Sequence, residues 1–191
     1  MYEQTDYSHL LGMAGFSNEL LEAHFGLYAG YVKNTNAVSA LMKETEAGTP
    51  VYNELNRRFG WEFNGMRLHE LYFANMMPEA PTMNGESALA TKLIEEYGSL
   101  EAWKADFVGT GKMRGIGWTI LYYDAAADRV FNVWINEHDM GHLAGGTPLL
   151  VLDVFEHAYV RDYGMDRGQY IDAFFNVINW EEVEARFAAA Q

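Results

Sequence analysis

The stretch that decides the fold is LLVLDVFEHAYVRDY, which runs from Leu149 to Tyr163. Its first half is an apolar run typical of a buried strand, and this run leads directly to Asp153. His157 follows four residues later. A charged side chain at the end of a buried strand needs a partner, because burial of an unpaired charge is costly. A metal ion is one such partner, and it would need further ligands from the rest of the chain.

Composition limits the ligands and partners that are available. The 191 residues include no cysteine, so a metal could be held only by His, Asp, Glu or water, and disulfides are excluded. The formal net charge of −14 argues against nucleic acid and anionic membrane surfaces as partners. No apolar run approaches the roughly 20 residues of a membrane span. The start MYEQTDYSHL lacks a secretory signal pattern, so we expect a soluble, cytoplasmic protein.

Two long helices are predicted in the N-terminal part of the chain. Ser17 is a typical N-cap, and apolar side chains then recur every three or four residues on the face that carries His24. Pro50 marks the start of a second helix, whose apolar face includes His69. Because a short polar segment joins them, the two helices predict an antiparallel α-hairpin domain over residues 1–80.

The C-terminal part alternates between helices and short strands. After a linker at residues 78–86, the pattern predicts two more helices, then three strands, then a helix that continues through Val177 and Ile178. We therefore predict an α+β fold, in which residues 81–191 form an α/β domain with a three-stranded antiparallel sheet. The predicted strands are Trp118–Tyr123, Val130–Ile135 and Leu149–Val154.

Four residues on apolar faces form a candidate metal site, namely His24, His69, Asp153 and His157. A lone histidine on such a face is more often a core residue than a ligand, but three of them beside a carboxylate are harder to explain in that way. This set suits iron or manganese, and zinc is also possible. A mononuclear iron oxygenase is an alternative, although that class uses two His and one carboxylate. No G-x-S-x-G motif supports a serine hydrolase.

The motif around Asp153 resembles the iron/manganese superoxide dismutase family. The family signature is Asp, an apolar residue, an aromatic residue and then Glu-His-Ala-Tyr, and this chain reads DVFEHAY over Asp153–Tyr159. GIGWTIL at Gly115–Leu121 resembles the family's Gly-x-Gly-Trp strand. LHELYF at Leu68–Phe73 and LLEAHFGLYAGYV at Leu20–Val32 resemble its two ligand-bearing helices. The resemblance covers nearly the whole chain in order and implies the family's two-domain fold.

The resemblance implies an enzyme that converts superoxide to dioxygen and hydrogen peroxide. One manganese or iron ion per chain would cycle between the +3 and +2 states, with a solvent molecule as its fifth ligand. By the same resemblance, the four protein ligands would be His24, His69, Asp153 and His157. The alternative is a relative of the same fold that binds the metal but turns over slowly or not at all. The choice between manganese and iron stays open.

The residue that hydrogen-bonds this solvent differs within the family. In many iron enzymes it is a Gln four residues before the second ligand, but Gly65 occupies that position here. The manganese enzymes use a Gln in the loop between the last two strands, where this chain has His138. We predict His138 as the donor to the solvent, with His142 as the nearby rival.

The first ligand's helix departs from the family pattern. Tyr28 stands where the family has a second His, and the Tyr expected eight residues after the ligand is Tyr31, only seven after His24. Tyr31 can serve as the gateway phenol if a local bulge or deletion adjusts the helix, and Tyr28 is the alternative. Val160 replaces the Tyr that the family's second His bonds across the subunit boundary. These departures are the sequence support for the slow relative, which remains the alternative to an active superoxide dismutase.

The resemblance also implies an outer layer around the ligands. Glu156 would cross the subunit boundary to bond His157 of the other chain, which implies a homodimer or homotetramer. Arg167 resembles an arginine at the entrance of the site, where it could attract superoxide to an otherwise acidic protein. Trp118 and Tyr159 belong to the matching motifs, and we predict them in the same layer.

Overall fold

The computed structural model describes residues 1–191. Two long helices come first, two shorter helices follow, and a three-stranded sheet leads to three C-terminal helices. The helices are α1 (Asn18–Glu44), α2 (Pro50–Ala74), α3 (Ala88–Tyr97), α4 (Leu100–Gly111), α5 (Val160–Tyr163), α6 (Arg167–Phe175) and α7 (Trp180–Ala190). The strands are β1 (Gly117–Asp124), β2 (Arg129–Asn136) and β3 (Thr147–Asp153). None of the helices is long and apolar enough to cross a membrane.

Both long helices begin where their capping residues place them. The Ser17 side chain accepts the backbone N–H of Leu20, and the Thr49 side chain accepts that of Tyr52. Pro50 is the first residue of α2, a position where its missing N–H costs no helical hydrogen bond. The two predicted N-terminal helices are confirmed.

The two long helices run antiparallel against one another. The Tyr28 hydroxyl on α1 donates to Glu70 on α2, and Asn34, later on α1, donates to Glu62, which is earlier on α2. This arrangement faces His24 on α1 toward α2, and His24 is buried. α1 and α2 therefore each bring one histidine to the same buried seam.

The sheet has the order β2-β1-β3 and is antiparallel throughout, as the sequence predicts. β1 is the central strand, and nearly all of its residues are buried. Trp118, near the start of β1, pairs with Asp153 at the end of β3. Asp153 faces the seam between the two long helices, because its side chain lies against both His24 on α1 and His69 on α2.

Two details of the predicted pattern are wrong. The apolar spacing of α1 puts Leu27, three residues after His24, on the predicted buried face, but Leu27 is 42% exposed because α2 covers the side that carries Tyr28. The helix predicted to continue through Val177 and Ile178 ends at Phe175 instead. Ile178 forms a β-bridge with Met76, a partner that is distant in sequence.

Candidate metal centre

Side chains from four segments converge on one carboxylate oxygen. His24 comes from α1, His69 from α2, Asp153 from the end of β3, and His157 from the short 3-10 turn that follows β3. The four ligand atoms all lie within 4.8 Å of one another. Asp153 Oδ2 lies 3.1 Å from the Nε2 atoms of His24 and His157. The Nε2 atom of His69 is 3.6 Å from the same oxygen.

The backbone holds these side chains from behind. The second oxygen of Asp153, Oδ1, accepts the N–H of Phe155 at 2.8 Å. His69 Nδ1 lies 2.5 Å from the carbonyl oxygen of Gly65, and a carbonyl only accepts, so Nδ1 carries the proton of neutral His69. His69 Nε2 is then an acceptor that is buried without a hydrogen-bond partner. Such orphaned atoms are uncommon, and a metal ion would supply the missing partner.

The protonation states of the cluster suit metal binding. Burial lowers the pKa of His24, and burial together with the neighbouring His24 holds the pKa of His69 well below its usual value. Burial alone would raise the pKa of Asp153, but His157 and hydrogen bonds from His157 and His24 lower it. Burial would lower the pKa of His157, but the adjacent Asp153 carboxylate raises it. A metal ion bound at His157 would therefore compete with the proton that the Asp153 carboxylate favours there.

The donor set fits manganese or iron. Three imidazole nitrogens and one carboxylate oxygen provide the mixed N/O environment that these metals accept, and no soft thiolate is present to favour other ions. Three of the four side chains are fully buried, and only His157 is partly exposed. The cluster is therefore largely shielded from bulk water.

A second layer of side chains covers the His69 side of the cluster. The rings of Tyr31 and His69 stack with centroids 5.1 Å apart. The Tyr31 hydroxyl lies 2.8 Å from His138 Nε2, and the Trp118 indole N–H donates to His138 Nδ1 at 3.0 Å. His138 itself is fully buried. Tyr31, His138 and Trp118 thus form one hydrogen-bonded chain beside the ligands.

The directions of these hydrogen bonds follow from their donors. An indole N–H can only donate, so His138 Nδ1 accepts and the proton of the neutral ring sits on Nε2. Burial lowers the pKa of His138 to about 4, so the ring is neutral at pH 7. His138 Nε2–H therefore donates to the oxygen of Tyr31. The hydroxyl proton of Tyr31 is left free for another acceptor, and burial raises the pKa of Tyr31 so that this proton is retained.

Tyr28 and Tyr31 make different contacts. The Tyr28 hydroxyl donates to Glu70 at 2.9 Å and accepts the backbone N–H of Thr5 at 3.1 Å, so it binds the N-terminal segment. Tyr31 faces the cluster, and α1 is a regular α-helix through both residues. The local bulge that was one of the two expectations is therefore wrong, because two regular helical turns already place Tyr31 beside the cluster. The one-residue deletion relative to the family pattern stays a prediction. Tyr31, and not Tyr28, is therefore the tyrosine that lies against His69 and His138.

Gly65 leaves the space that the Tyr31 ring occupies. A Cβ at this position would lie 2.6 Å from Tyr31 Cδ1 and 2.7 Å from Cε1. A glutamine at residue 65, as in many iron enzymes of the family, cannot coexist with this position of Tyr31. In this chain the Tyr31 hydroxyl is instead contacted by His138, from the loop between β2 and β3.

The remaining predicted residues lie outside the cluster. His142 bonds the Tyr122 hydroxyl and the His138 carbonyl and does not reach the four ligands. Arg167 donates to the Tyr159 hydroxyl and to backbone carbonyls before β1, so it ties the motif to that loop. Glu156 is exposed and lines a surface cavity of about 710 Å³ together with Arg167.

Two residues near the cluster are not indicated by the sequence patterns. The Trp61 ring lies 4.6 Å from the His138 ring, and the Tyr170 hydroxyl donates to the Asp153 carbonyl at 2.7 Å. Trp61 stands eight residues before His69 and so shares its helix face, a signal that could have been used. Nothing in the local sequence connects Tyr170 with Asp153.

Comparison with known proteins agrees with this geometry. The family model for the C-terminal domain of iron/manganese superoxide dismutases matches residues 85–186. The chain is 40% identical over 185 residues to an iron superoxide dismutase of Cupriavidus metallidurans, covering 93% of this chain and 91% of the relative. It is 37% identical over 177 residues to manganese superoxide dismutase 2 of Haloferax volcanii, covering 91% and 88%. It is 32% identical over 179 residues to an iron superoxide dismutase of Pyrobaculum aerophilum, covering 91% and 85%. The chain belongs to the iron/manganese superoxide dismutase family.

Proposed function

We propose that this chain is a cytoplasmic superoxide dismutase, which converts superoxide to dioxygen and hydrogen peroxide with one manganese or iron ion per chain. The ion, when bound, supplies one-electron redox chemistry between its +3 and +2 states. We assign His24, His69, Asp153 and His157 as its ligands. The observation that carries the proposal is the convergence of these four side chains within 4.8 Å, in a chain similar to superoxide dismutases over most of its length.

Formation of hydrogen peroxide consumes protons, and we assign their delivery to Tyr31. Its hydroxyl keeps its proton because burial and the charge of Asp153 raise the pKa of the phenol. His138 Nε2–H occupies one lone pair of the phenolic oxygen, which turns the hydroxyl proton away from His138. Trp118 holds His138 in the tautomer that this arrangement needs. Because its single N–H is used in this bond, His138 would act on a bound solvent molecule through the Tyr31 hydroxyl and not as a direct donor.

A metal-binding relative without fast turnover is the second candidate, and no contact in the structure favours it. The departures that suggested it are Tyr28 and Val160. The Tyr28 hydroxyl has hydrogen-bond partners within its own chain, namely Glu70 and the backbone N–H of Thr5. Val160 is 39% exposed at the start of α5. Neither replacement interrupts the hydrogen bond between Tyr31 and His138.

We propose that the chain assembles as a homodimer or homotetramer. His157 Nε2 faces Asp153, and the side chain is 25% exposed, so Nδ1 is available to a group from outside the chain. Glu156 of a second copy would accept this N–H. The cavity that Glu156 lines also carries exposed apolar side chains, with Ile116 and Met165 38% and 81% exposed. Sedimentation equilibrium would test the assembly, and Glu156→Ala should weaken it.

The experiment that tests the enzymatic proposal is superoxide decay after a radiolytic pulse, on protein loaded separately with manganese and iron. Decay near the diffusional ceiling, on the order of 10⁸–10⁹ M⁻¹s⁻¹, with either metal is the expected result. The ratio of the two rates ranks the metals. The matched control is metal-free protein, which should leave spontaneous decay unchanged. Decay at the spontaneous rate with metal bound would favour the non-catalytic relative.

A further inference from the structure

The loop between β2 and β3 carries His138 outside the hydrogen-bond ladder of the sheet. Two backbone hydrogen bonds between Asn136 and Met140 close its base, with nitrogen-to-oxygen distances of 2.9 and 3.3 Å. Glu137 follows Asn136 with a φ of 52°, in the left-handed region that side chains rarely adopt. The side chain of Glu137 accepts the Trp61 indole N–H at 3.1 Å, but the carbonyl of the adjoining His138 peptide needs a separate support.

His142 supplies this support. Its Nε2 lies 2.8 Å from the carbonyl oxygen of His138, and its Nδ1 lies 2.7 Å from the hydroxyl oxygen of Tyr122. A carbonyl only accepts, so His142 Nε2–H donates to His138. Nδ1 of the neutral ring is then an acceptor, and the Tyr122 hydroxyl donates to it. A directed chain of hydrogen bonds therefore runs from Tyr122 through His142 to the His138 peptide.

Tyr122, the first donor in this series of hydrogen bonds, lies on the central strand. It lies on β1 and is buried, and burial raises the pKa of its phenol to about 12, so it stays protonated and able to donate. Its ring is closely enclosed, since a Cβ at Gly146 would lie 2.9 Å from Tyr122 Cδ1. The same strand carries Trp118, which donates to the His138 ring. β1 therefore holds the ring of His138 directly and its peptide through His142.

We infer that His142 is a positioning residue that aims the His138 ring at Tyr31. It hydrogen-bonds neither the four ligands nor the Tyr31 hydroxyl, and it acts through the His138 peptide. The bond from His138 Nε2 to Tyr31 is 2.8 Å long, and such bonds weaken steeply when the donor turns away. Without His142, the peptide beside Glu137 can relax and the ring can turn. The inference rests on the proposed function, because that function assigns proton delivery to Tyr31 and His138.

The test compares His142→Leu and His142→Gln with the wild type, each loaded with manganese. Leucine makes no hydrogen bond, whereas glutamine can donate to the His138 carbonyl and accept from Tyr122. We expect His142→Leu to keep its metal and lose about tenfold in turnover, the lower end of what an outer hydrogen-bond partner costs. The midpoint potential of its metal should also shift. His142→Gln should restore both properties, and His9→Gln, at an exposed histidine, is the matched control that should change neither.

Wild-type turnover and potential in His142→Leu would overturn the inference. If that variant fails to fold or loses its metal, Tyr122→Phe decides, because it removes only the donor hydroxyl and keeps the ring. A shifted potential in Tyr122→Phe at full metal content supports the role of His142, and an unchanged potential overturns it. If the wild type itself does not consume superoxide, the proposed function fails, while the shift in potential still decides the role of His142.

Discussion

The ligand cluster and the Tyr31–His138 pair lie side by side but are held in different ways. The cluster stands on α1, α2 and the end of β3, and its atoms are fixed by the core and by backbone hydrogen bonds to Asp153 and His69. The pair joins α1 to a loop, and the loop partner depends on hydrogen bonds from Trp118 and His142. Substitutions in the core should therefore change metal affinity, whereas substitutions in the loop should change proton delivery.

The largest effect should come from Asp153→Ala, which removes the oxygen on which the three imidazoles converge. We expect metal affinity to fall by more than the roughly 10–100-fold that loss of a ligand's outer hydrogen-bond partner costs. Metal content of the purified protein, measured by mass spectrometry, gives the result. Asp172→Ala is the matched control, since Asp172 is exposed on α6. Full metal occupancy in Asp153→Ala would exclude Asp153 as a ligand.

Tyr31→Phe should lower turnover without changing metal binding, and so distinguish the Tyr31–His138 pair from the ligand cluster. It removes the hydroxyl that His138 contacts but leaves the ring stacked on His69. We expect unchanged metal content and a loss of turnover of about 10²-fold, the lower end of the range for a group that transfers protons. Pulse radiolysis at several superoxide concentrations measures the loss. A variant with wild-type turnover would remove Tyr31 from proton delivery.

Gly65→Ala should disturb the pair from the side of α2. The added methyl group would lie 2.6 Å from Tyr31 Cδ1, so the phenol has to move. We expect thermal unfolding to show a destabilisation of about 1–3 kcal/mol, the usual cost of overpacking, together with reduced turnover. Gly60→Ala is the matched control, because its Cβ would meet open space. It should gain roughly 0.5–1 kcal/mol from helix propensity. Equal stability of the two variants would contradict the packing seen here.

The smallest effect on catalysis should come from Tyr28→Phe. This change removes the hydrogen bonds to Glu70 and Thr5 and should cost about 1–2 kcal/mol of unfolding free energy. Turnover and metal content should stay at the wild-type level, because the hydroxyl points away from His138. On one preparation, denaturant unfolding measures the free energy of unfolding and pulse radiolysis measures turnover. If turnover instead falls as far as in Tyr31→Phe, Tyr28 is the gateway.

Much of the fold and the ligand set can be predicted from local sequence. Ser17, Thr49 and Pro50 fix the starts of the long helices, because capping depends on residues within one turn. The strands follow from β-branched and aromatic runs. Asp153 and His157 lie in one short motif, and the resemblance of that motif points to the other two histidines. The domain boundary placed at residue 80 stays a prediction.

Other features depend on contacts between distant segments. Tyr28 and Tyr31 both stand at helical spacing from His24, so the sequence leaves the gateway open. In the structure, the Tyr28 hydroxyl donates to Glu70 on α2, whereas the Tyr31 hydroxyl accepts from His138 on a loop. The helix predicted through Ile178 is broken by a bridge to Met76, a pairing that no local pattern contains.

The sequence by itself determined the long helices and the three strands, because these depend on local spacing, and the resemblance of one contiguous motif indicated the candidate ligands. The tertiary structure alone decided which tyrosine faces the cluster, which nitrogen of His138 carries the proton, and what holds His138 in place. The reason is that hydrogen-bond direction depends on the partner, and Trp118 and Tyr122 reach the loop only after the sheet has formed.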